Sequence, residues 1–409
     1  MKAHSKVVST YDQPHQFEPL LPQKELGELV ERTRDVLAKS YRLQQAVHAS
    51  TLASLRELVR AMNSYYSNLI EGQGTHPQNI ARALKADFSQ KPAVAQRQRI
   101  ALAHIEAEKS LEQKMAKGRL REVDALKSGF LVEAHRGLYS LLSEGDRTTT
   151  DGQLIEPGKL RQADVTVGAH KAPAHASVVA FLQRMDEVYP RLLGMDSLLY
   201  GIAAAHHRAA WVHPFGDGNG RACRLQTHCA LLPMSAGLWS VSRGMARQRD
   251  RYYELLANAD LARMGDLDGR GNLSEEMLRQ WCGYFIGLCD DQASFMAQML
   301  DLGTLRERIA ALVSVRGESS RHKFYRKEVV LPLHHIMVAG PITRGDFCRM
   351  TGLPERTARR PLSQLLKDGL LVGNGEKGDV SFGFPLDALN ILLPNLYPEA
   401  AVSQAEDQV

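Results

Sequence analysis

A histidine, an aspartate, three glycines and two arginines fall within twelve positions, His213-Pro-Phe-Gly-Asp217-Gly-Asn-Gly-Arg221-Ala-Cys-Arg224. His213 is the one side chain of the run whose ordinary pKa lies near neutrality, which suits a general base. Asp217 offers the hard oxygen that Mg²⁺ prefers. Arg221 and Arg224 stand three residues apart, so on a helix they share a face and can take phosphate charge together. Gly216, Gly218 and Gly220 allow a tight loop and a close approach of ligand to backbone. Stability alone does not explain such a run, because alternating glycines weaken both helix and strand. The chemistry implied is transfer of part of a nucleotide.

These side chains need elements to aim them. Pro214 disfavours the α conformation at His213, so the helix carrying His206, His207 and Trp211 should stop there and leave His213 on a turn. A new helix is expected near Asn219, with its free N–H groups pointing into the loop as an anion site. His206 and His207 are neighbours and point to different helix faces, which argues against a metal site built with His213.

The rest of the chain reads as mostly helical. Pro14, Pro19 and Pro22 mark an extended arm over residues 1–24. Helical spacing runs from Glu25 to about Ile70, with Leu52, Leu55, Leu58, Val59 and Met62 on one face. A polar break at Glu71–Pro77 precedes helical stretches near 78–117 and 119–143. Thr148 to Ala174 contains Gly152, Pro157, Gly158 and Gly168 and the alternating Val165-Thr166-Val167, which read as a short β-hairpin flap. Helices are expected at about 176–192, 196–211, 219–233, 247–260 and 274–300, then at 303–315 and 323–338.

Beyond Ile342 the order is helix, turn at Thr351-Gly352, second helix, and a hairpin of Leu370–Val372 with Val380–Phe382 across Gly373–Gly378. That is the order of a winged helix-turn-helix. Arg356, Arg359 and Arg360 on its second helix are candidate DNA contacts. Pro361 should kink that helix or end it early, leaving dimer contacts or partner docking as the other use. The expected organisation is an arm (1–24), an N-terminal helical region (25–118), a helical core (119–300), the winged helix-turn-helix (301–400) and a tail (401–409).

At 409 residues two or three domains are expected. Hydrophobic content of 44% with 24% charged residues belongs to a folded chain. Five cysteines without a Cys-x-x-Cys pair argue for reduced thiols in a cytosol, with neither a disulfide framework nor a zinc site. No signal-like start and no apolar run of about 20 residues is seen, so a cytoplasmic protein with no membrane partner is expected. Net charge is +5, and residues 321–380 alone carry 11 Lys/Arg against 6 Asp/Glu. Nucleic acid is one reading of that excess and a solvated basic face another.

The central run resembles the signature of Fic-domain proteins, His-Pro-Phe-x-(Asp/Glu)-Gly-Asn-(Gly/Lys)-Arg-x-x-Arg, with every specified position filled. Gly158-Lys-Leu-Arg161 and Val165-Thr166-Val167-Gly168 are similar to the family's flap, which aligns a target chain over the nucleotide. Arg251-Tyr-Tyr253 and Leu256-Ala-Asn258 resemble the segment that closes the nucleotide pocket. The likeness spans roughly residues 50–290. It implies a mainly α, Fic-type helical core with a small hairpin flap, here joined to a C-terminal winged helix-turn-helix.

The activity implied is transfer of AMP from ATP to a Ser, Thr or Tyr hydroxyl of a target protein, or of the chain itself, with release of pyrophosphate. His213 would deprotonate the hydroxyl, and Asp217 would hold Mg²⁺ between the α- and β-phosphates. The N–H groups around Gly218, Asn219 and Gly220 would stabilise developing charge, and Arg221 and Arg224 would bind the β- and γ-phosphates. Gly220, where phosphorylating relatives have Lys, favours AMP transfer.

Ser67-Asn-Leu-Ile-Glu71-Gly72 is by itself an ordinary helix end. Beside a full Fic motif it resembles the family's inhibitory helix, here about 55–71, in which Glu71 would pair with Arg224 and hold ATP unproductively. In some relatives that carboxylate is thought to reverse the modification. The residues leave open a DNA-binding regulator whose Fic domain senses ATP, another nucleotide donor, and a homodimer. They do not identify the target.

Overall fold

A computed structural model describes residues 11–192, 194–375 and 378–397. The expectations for residues 1–10, for Glu376-Lys377 at the hairpin tip and for the tail lie outside these.

The helices are α1 (Gly27–Leu43), α2 (Ala49–Ile70), α3 (Pro77–Ala83), α4 (Pro92–Gly118), α5 (Glu122–Ala125), α6 (Ser128–Ser140), α7 (Val178–Leu192), α8 (Leu198–Val212), α9 (Asn219–Ser235), α10 (Val241–Arg247), α11 (Arg249–Asn258), α12 (Glu275–Met299), α13 (Leu302–Gly317), α14 (Val330–Ala339), α15 (Arg344–Met350), α16 (Glu355–Lys367) and α17 (Leu389–Leu392). Two antiparallel hairpins complete them, β1 (Thr166–Val167) with β2 (His170–Lys171), and β3 (Leu371–Gly373) with β4 (Val380–Phe382).

α8 and α9 form the centre. Nearly every residue of α8 is buried, including Leu199, Ile202, Ala203, Ala204, Ala209 and Trp211. A helix apolar on all sides must be surrounded, and α1, α7, α9 and α12 enclose it. α9 is wrapped in turn by α2, α4, α5 and α6, so the two ends of the loop between α8 and α9 are held by the core. Among the described residues no helix is long and apolar enough to cross a membrane.

Several boundaries differ from the sequence reading. Residues 11–24, read as an extended arm, pack onto the core. Phe17 is fully buried against Phe181 and Trp211, and the Pro19 carbonyl accepts from Arg208 Nη2 at 2.7 Å. The first long helical stretch is two helices, broken at residues 44–48, where the His48 ring caps α2 by accepting from the Ser50 amide. The stretch near 78–117 is likewise split by residues 84–91, and α4 starts on Pro92, a residue favoured at the first helical position. The segment before residue 330 is a 3₁₀ turn at Lys327–Val329 in place of the expected helix start. α10 was not expected at all, because seven residues carry little periodicity.

Helix, turn and hairpin follow one another in the C-terminal segment as read. Thr343 caps α15, and Gly352 takes the left-handed conformation, φ +68°, that the turn needs. Pro361 does not end the helix early. α16 continues through it to Lys367, because Ala358, Pro361, Leu362 and Leu365 form one buried face whose packing outweighs a single lost backbone hydrogen bond.

Candidate active site

The loop from His213 to Gly218 is set by its own backbone. α8 ends at His213, which takes a left-handed conformation (φ 48°, ψ 61°), and α9 starts after Gly218 at φ 75°. A Cβ on Gly218 would lie 2.6 Å from Tyr139 Oη, so glycine is required for space as well as for φ. Asn219 ties the loop shut, accepting from the Phe215 amide and donating to the Phe215 carbonyl, each at 2.9 Å. Its side chain is therefore spent on the loop, while its N–H remains part of the α9 N-terminus.

Residues that the sequence did not single out hold this loop from outside. His135 of α6 accepts from the Gly158 amide through Nδ1 at 2.9 Å, which leaves Nε2–H to donate to the Asp217 carbonyl at 3.1 Å. Its ring stacks on Phe215 at 3.9 Å. Burial lowers its pKa to about 4, keeping it neutral for both bonds. Tyr139, one turn along, donates to Asp217 Oδ2 at 2.6 Å and accepts from Arg221 Nη2 at 2.7 Å.

Arg161, quoted for its flap-like neighbours, proves to be the strut beneath them. It is buried, donates through Nε to the His213 carbonyl at 2.8 Å and through Nη1 to the Ala163 carbonyl at 2.8 Å, and reaches the Pro173 carbonyl through Nη2. Its amide also donates to the Pro214 carbonyl at 2.9 Å. Arg161→Ala strips buried carbonyls of their partners at about 1–3 kcal/mol each. It should lower stability by on the order of 3 kcal/mol in urea unfolding; a loss near zero would remove the strut.

The flap residues Thr166, Val167 and Gly168 are exposed, and Val165 is half-buried. The flap is pinned at its second strand, where His170 contacts the Trp211 carbonyl at 2.7 Å through Nε2 and Asp260 at 3.2 Å through Nδ1. Asp260 also meets His207 at 2.9 Å. Burial opposes the charge of Asp260, yet both histidines together hold its carboxyl well below the usual range. His206 contacts Thr227 Oγ1 at 2.7 Å. The two histidines thus serve different neighbours.

Within the loop, His213 has its pKa lowered to about 4, first by burial and then by the nearby His170. Burial opposes the charge on Asp217, but Arg221 and the Tyr139 hydrogen bond outweigh it and leave the carboxyl below its ordinary value. As a single carboxylate beside an anion-binding helix end, Asp217 fits Mg²⁺, which takes one or two carboxylates and fills its shell with water and phosphate. Arg221 also donates to Gln73 Oε1 at 2.9 Å and to Asp217 Oδ2 at 3.0 Å.

Arg224 is buried and turned towards α2. Nε donates to Ser67 Oγ at 2.9 Å, and Nη2 donates to the Ser67 carbonyl at 3.0 Å and to Glu71 Oε1 at 2.5 Å. α2 ends at Ile70, and Gly72 at φ 72° turns the chain away. A Cβ on Gly220 would collide with the Glu71 carboxylate. That carboxylate therefore covers the first turn of α9. Burial raises the pKa of Glu71, but the charge and hydrogen bond of Arg224, followed by Arg221, hold it below its ordinary value.

Other candidates sit at the rim. Tyr253 Oη donates to the Ile70 carbonyl at 3.4 Å, touching the end of α2, and Asn258 closes α11 half-buried. Far from the loop, Arg356, Arg359 and Arg360 are exposed on α16. Arg359 pairs with Glu355 at 2.6 Å, and Arg360 lies over Phe324 at 5.8 Å.

Residues 125–231 match the model of the Fic/DOC family. Over 118 residues the chain is 36% identical to the Protein adenylyltransferase Fic of Drosophila yakuba, and it matches that of Drosophila melanogaster to the same extent. The match takes in 28% of this chain and spans 22% of the length of those relatives. Among solved structures, a Fic family protein from Desulfovibrio desulfuricans G20 aligns with TM-score 0.50 and 16% identity, over 91% of this chain and 98% of that one. A Fic domain containing signaling protein from Bacteroides thetaiotaomicron VPI-5482 aligns with TM-score 0.50 and 18% identity, over 65% of this chain and 95% of that one. The fold is mainly helical and Fic-type, with small two-stranded sheets.

Proposed function

We propose that the chain is an autoinhibited protein adenylyltransferase, which moves AMP from ATP to a hydroxyl of a target protein and of itself. The observation that carries this reading is the convergence of His213, Asp217, the α9 N-terminus and Arg221 on one loop, with Glu71 seated over that helix end. His213 takes the proton of a Ser, Thr or Tyr hydroxyl as its oxygen bonds to the α-phosphorus and the bond to pyrophosphate breaks. Asp217 would hold Mg²⁺, which would neutralise charge on the phosphates. The N–H groups at the start of α9 and the guanidinium of Arg221 face the same space, and Arg224 is the cation that Glu71 withholds. The flap residues 165–168, with Tyr253 and Asn258 at the rim, border the nucleotide and the incoming target chain.

The test compares label transfer from α- and γ-labelled ATP to the purified chain. Transfer of the α label alone supports AMP transfer; transfer of the γ label alone overturns it in favour of phosphorylation. The pH dependence is a second check. With its pKa lowered to about 4, His213 stays neutral and basic well below the ordinary histidine range, so kcat/KM should be lost only as pH falls through about 4. A limb near 6.5, the ordinary value, would remove the buried base.

A further inference from the structure

A polar cluster lies one turn beyond Arg224, away from the loop. His104, Glu108 and Glu112 stand at four-residue steps on α4 and so share a face. That face meets His228 of α9 and Arg60 and Asn63 of α2. Glu108, Glu112 and His228 are all buried, and one ligand atom from each lies within 4.8 Å of the others. His228 Nε2 is 2.9 Å from Glu112 Oε1 and 3.4 Å from Glu108 Oε1. Those separations bracket the ~3.3–3.4 Å edge of a tetrahedron built on metal–ligand bonds of about 2.0–2.1 Å.

An independent observation comes from His104. It is 2% exposed, and neither ring nitrogen has a hydrogen-bond partner. Its Nδ1 faces Glu108 Oε2 at 3.8 Å, too far for a hydrogen bond, and that oxygen is itself unpartnered. A neutral imidazole presents one nitrogen lone pair; in the tautomer that places it on Nδ1, it faces the bare Glu108 Oε2. A cation between them would use both lone pairs at once.

We propose that Glu108, Glu112 and His228 bind a zinc ion that fastens α4 to α9, with His104, which faces Glu108 Oε2, as the fourth ligand. Two imidazoles and two carboxylates suit Zn²⁺, and its charge offsets two buried carboxylates. Without a metal that charge is met by Arg60, which divides its guanidinium between Glu112 at 2.7 Å and Glu57 at 2.6 Å, and by His228, whose pKa both carboxylates raise against the effect of burial. Neighbouring donors already orient the ligands. Arg60 holds Glu112 Oε2, and Asn63 Nδ2 donates to Glu108 Oε1 at 2.8 Å. The site is separate from the Mg²⁺ position at Asp217 and does not depend on the transfer reaction. Its place does bear on α2, because Asn63 precedes Ser67 by one turn and His228 follows Arg224 by one turn.

The test uses the full chain without a histidine tag, produced in medium containing zinc, manganese and iron and then dialysed against metal-free buffer. Elemental analysis should find about one zinc per chain. Stripping with a chelator should lower the thermal midpoint by several degrees, and added ZnCl₂ should restore it. Glu108→Gln and His228→Gln, each checked by circular dichroism for native helix content, should lower retained zinc by about tenfold or more. Should either fail to fold, Glu112→Gln carries the same expectation. The proposal is overturned by wild-type protein that holds no stoichiometric zinc and shows no thermal response to ZnCl₂. Zinc retained equally by wild type and Glu108→Gln, or manganese or iron in its place, overturns it as well.

Discussion

Glu71→Gly should raise transfer of label from α-labelled ATP onto the chain by about tenfold or more, equivalent to roughly 1.4 kcal/mol off the barrier. Two contacts of one carboxylate give this result. Glu71 neutralises Arg224 at 2.5 Å, and it also fills the space above Gly220 at the start of α9. Both positions belong to phosphate if the chain transfers AMP, since unpaired N–H groups and a guanidinium are what phosphate oxygens seek. Glycine removes carboxylate and bulk together. Arg224 keeps its two hydrogen bonds to Ser67, so the side chain stays near the site instead of collapsing elsewhere. Glu71→Gln separates the two effects, because it removes charge and keeps shape. Label transfer in Glu71→Gly no faster than in wild type, with ATP binding intact, would sink the brake.

His213→Ala should abolish that transfer, in wild type and in the Glu71→Gly background, with a loss of about 10²–10⁴ expected for a missing general base. The ring adds little to the fold. The loop is held through the His213 carbonyl by Arg161 and through Asn219, His135 and Tyr139, none of which needs the imidazole. His213 already holds the left-handed conformation at φ 48°, and alanine must take the same one at a modest added cost. The thermal midpoint should therefore stay near that of wild type while the rate falls, and this contrast separates chemistry from folding. A double variant that transfers label as fast as Glu71→Gly would remove His213 from the reaction.

Much of the central loop was legible because its rules are local. Proline after His213 ends one helix, Gly218 and the polar start at Asn219 open the next, and three-residue spacing puts Arg221 and Arg224 on one face. The helical character of the chain and the short flap followed from periodicity and glycines in the same way. Pro361 failed as a local signal because packing of the face it shares with Leu362 and Leu365 overrode it, and α10 was too short to carry a period.

The supports of the site were not legible, and the reason is sequence distance. His135, Tyr139, Arg161, His170 and Asp260 are ordinary residues in their own segments, and only the packing of α6, the flap and the α11–α12 connection around the loop gives them work. The same holds for His104, Glu108 and Glu112, which in sequence are one polar stripe on a long helix and in space meet His228. Sequence alone determined which groups carry the chemistry for a phosphate, and only the likeness to an inhibitory helix marked Glu71 as their expected opponent. Tertiary structure decided that Arg224 is held by Glu71, because an ion pair across 153 residues exists only once α2 is packed against α9.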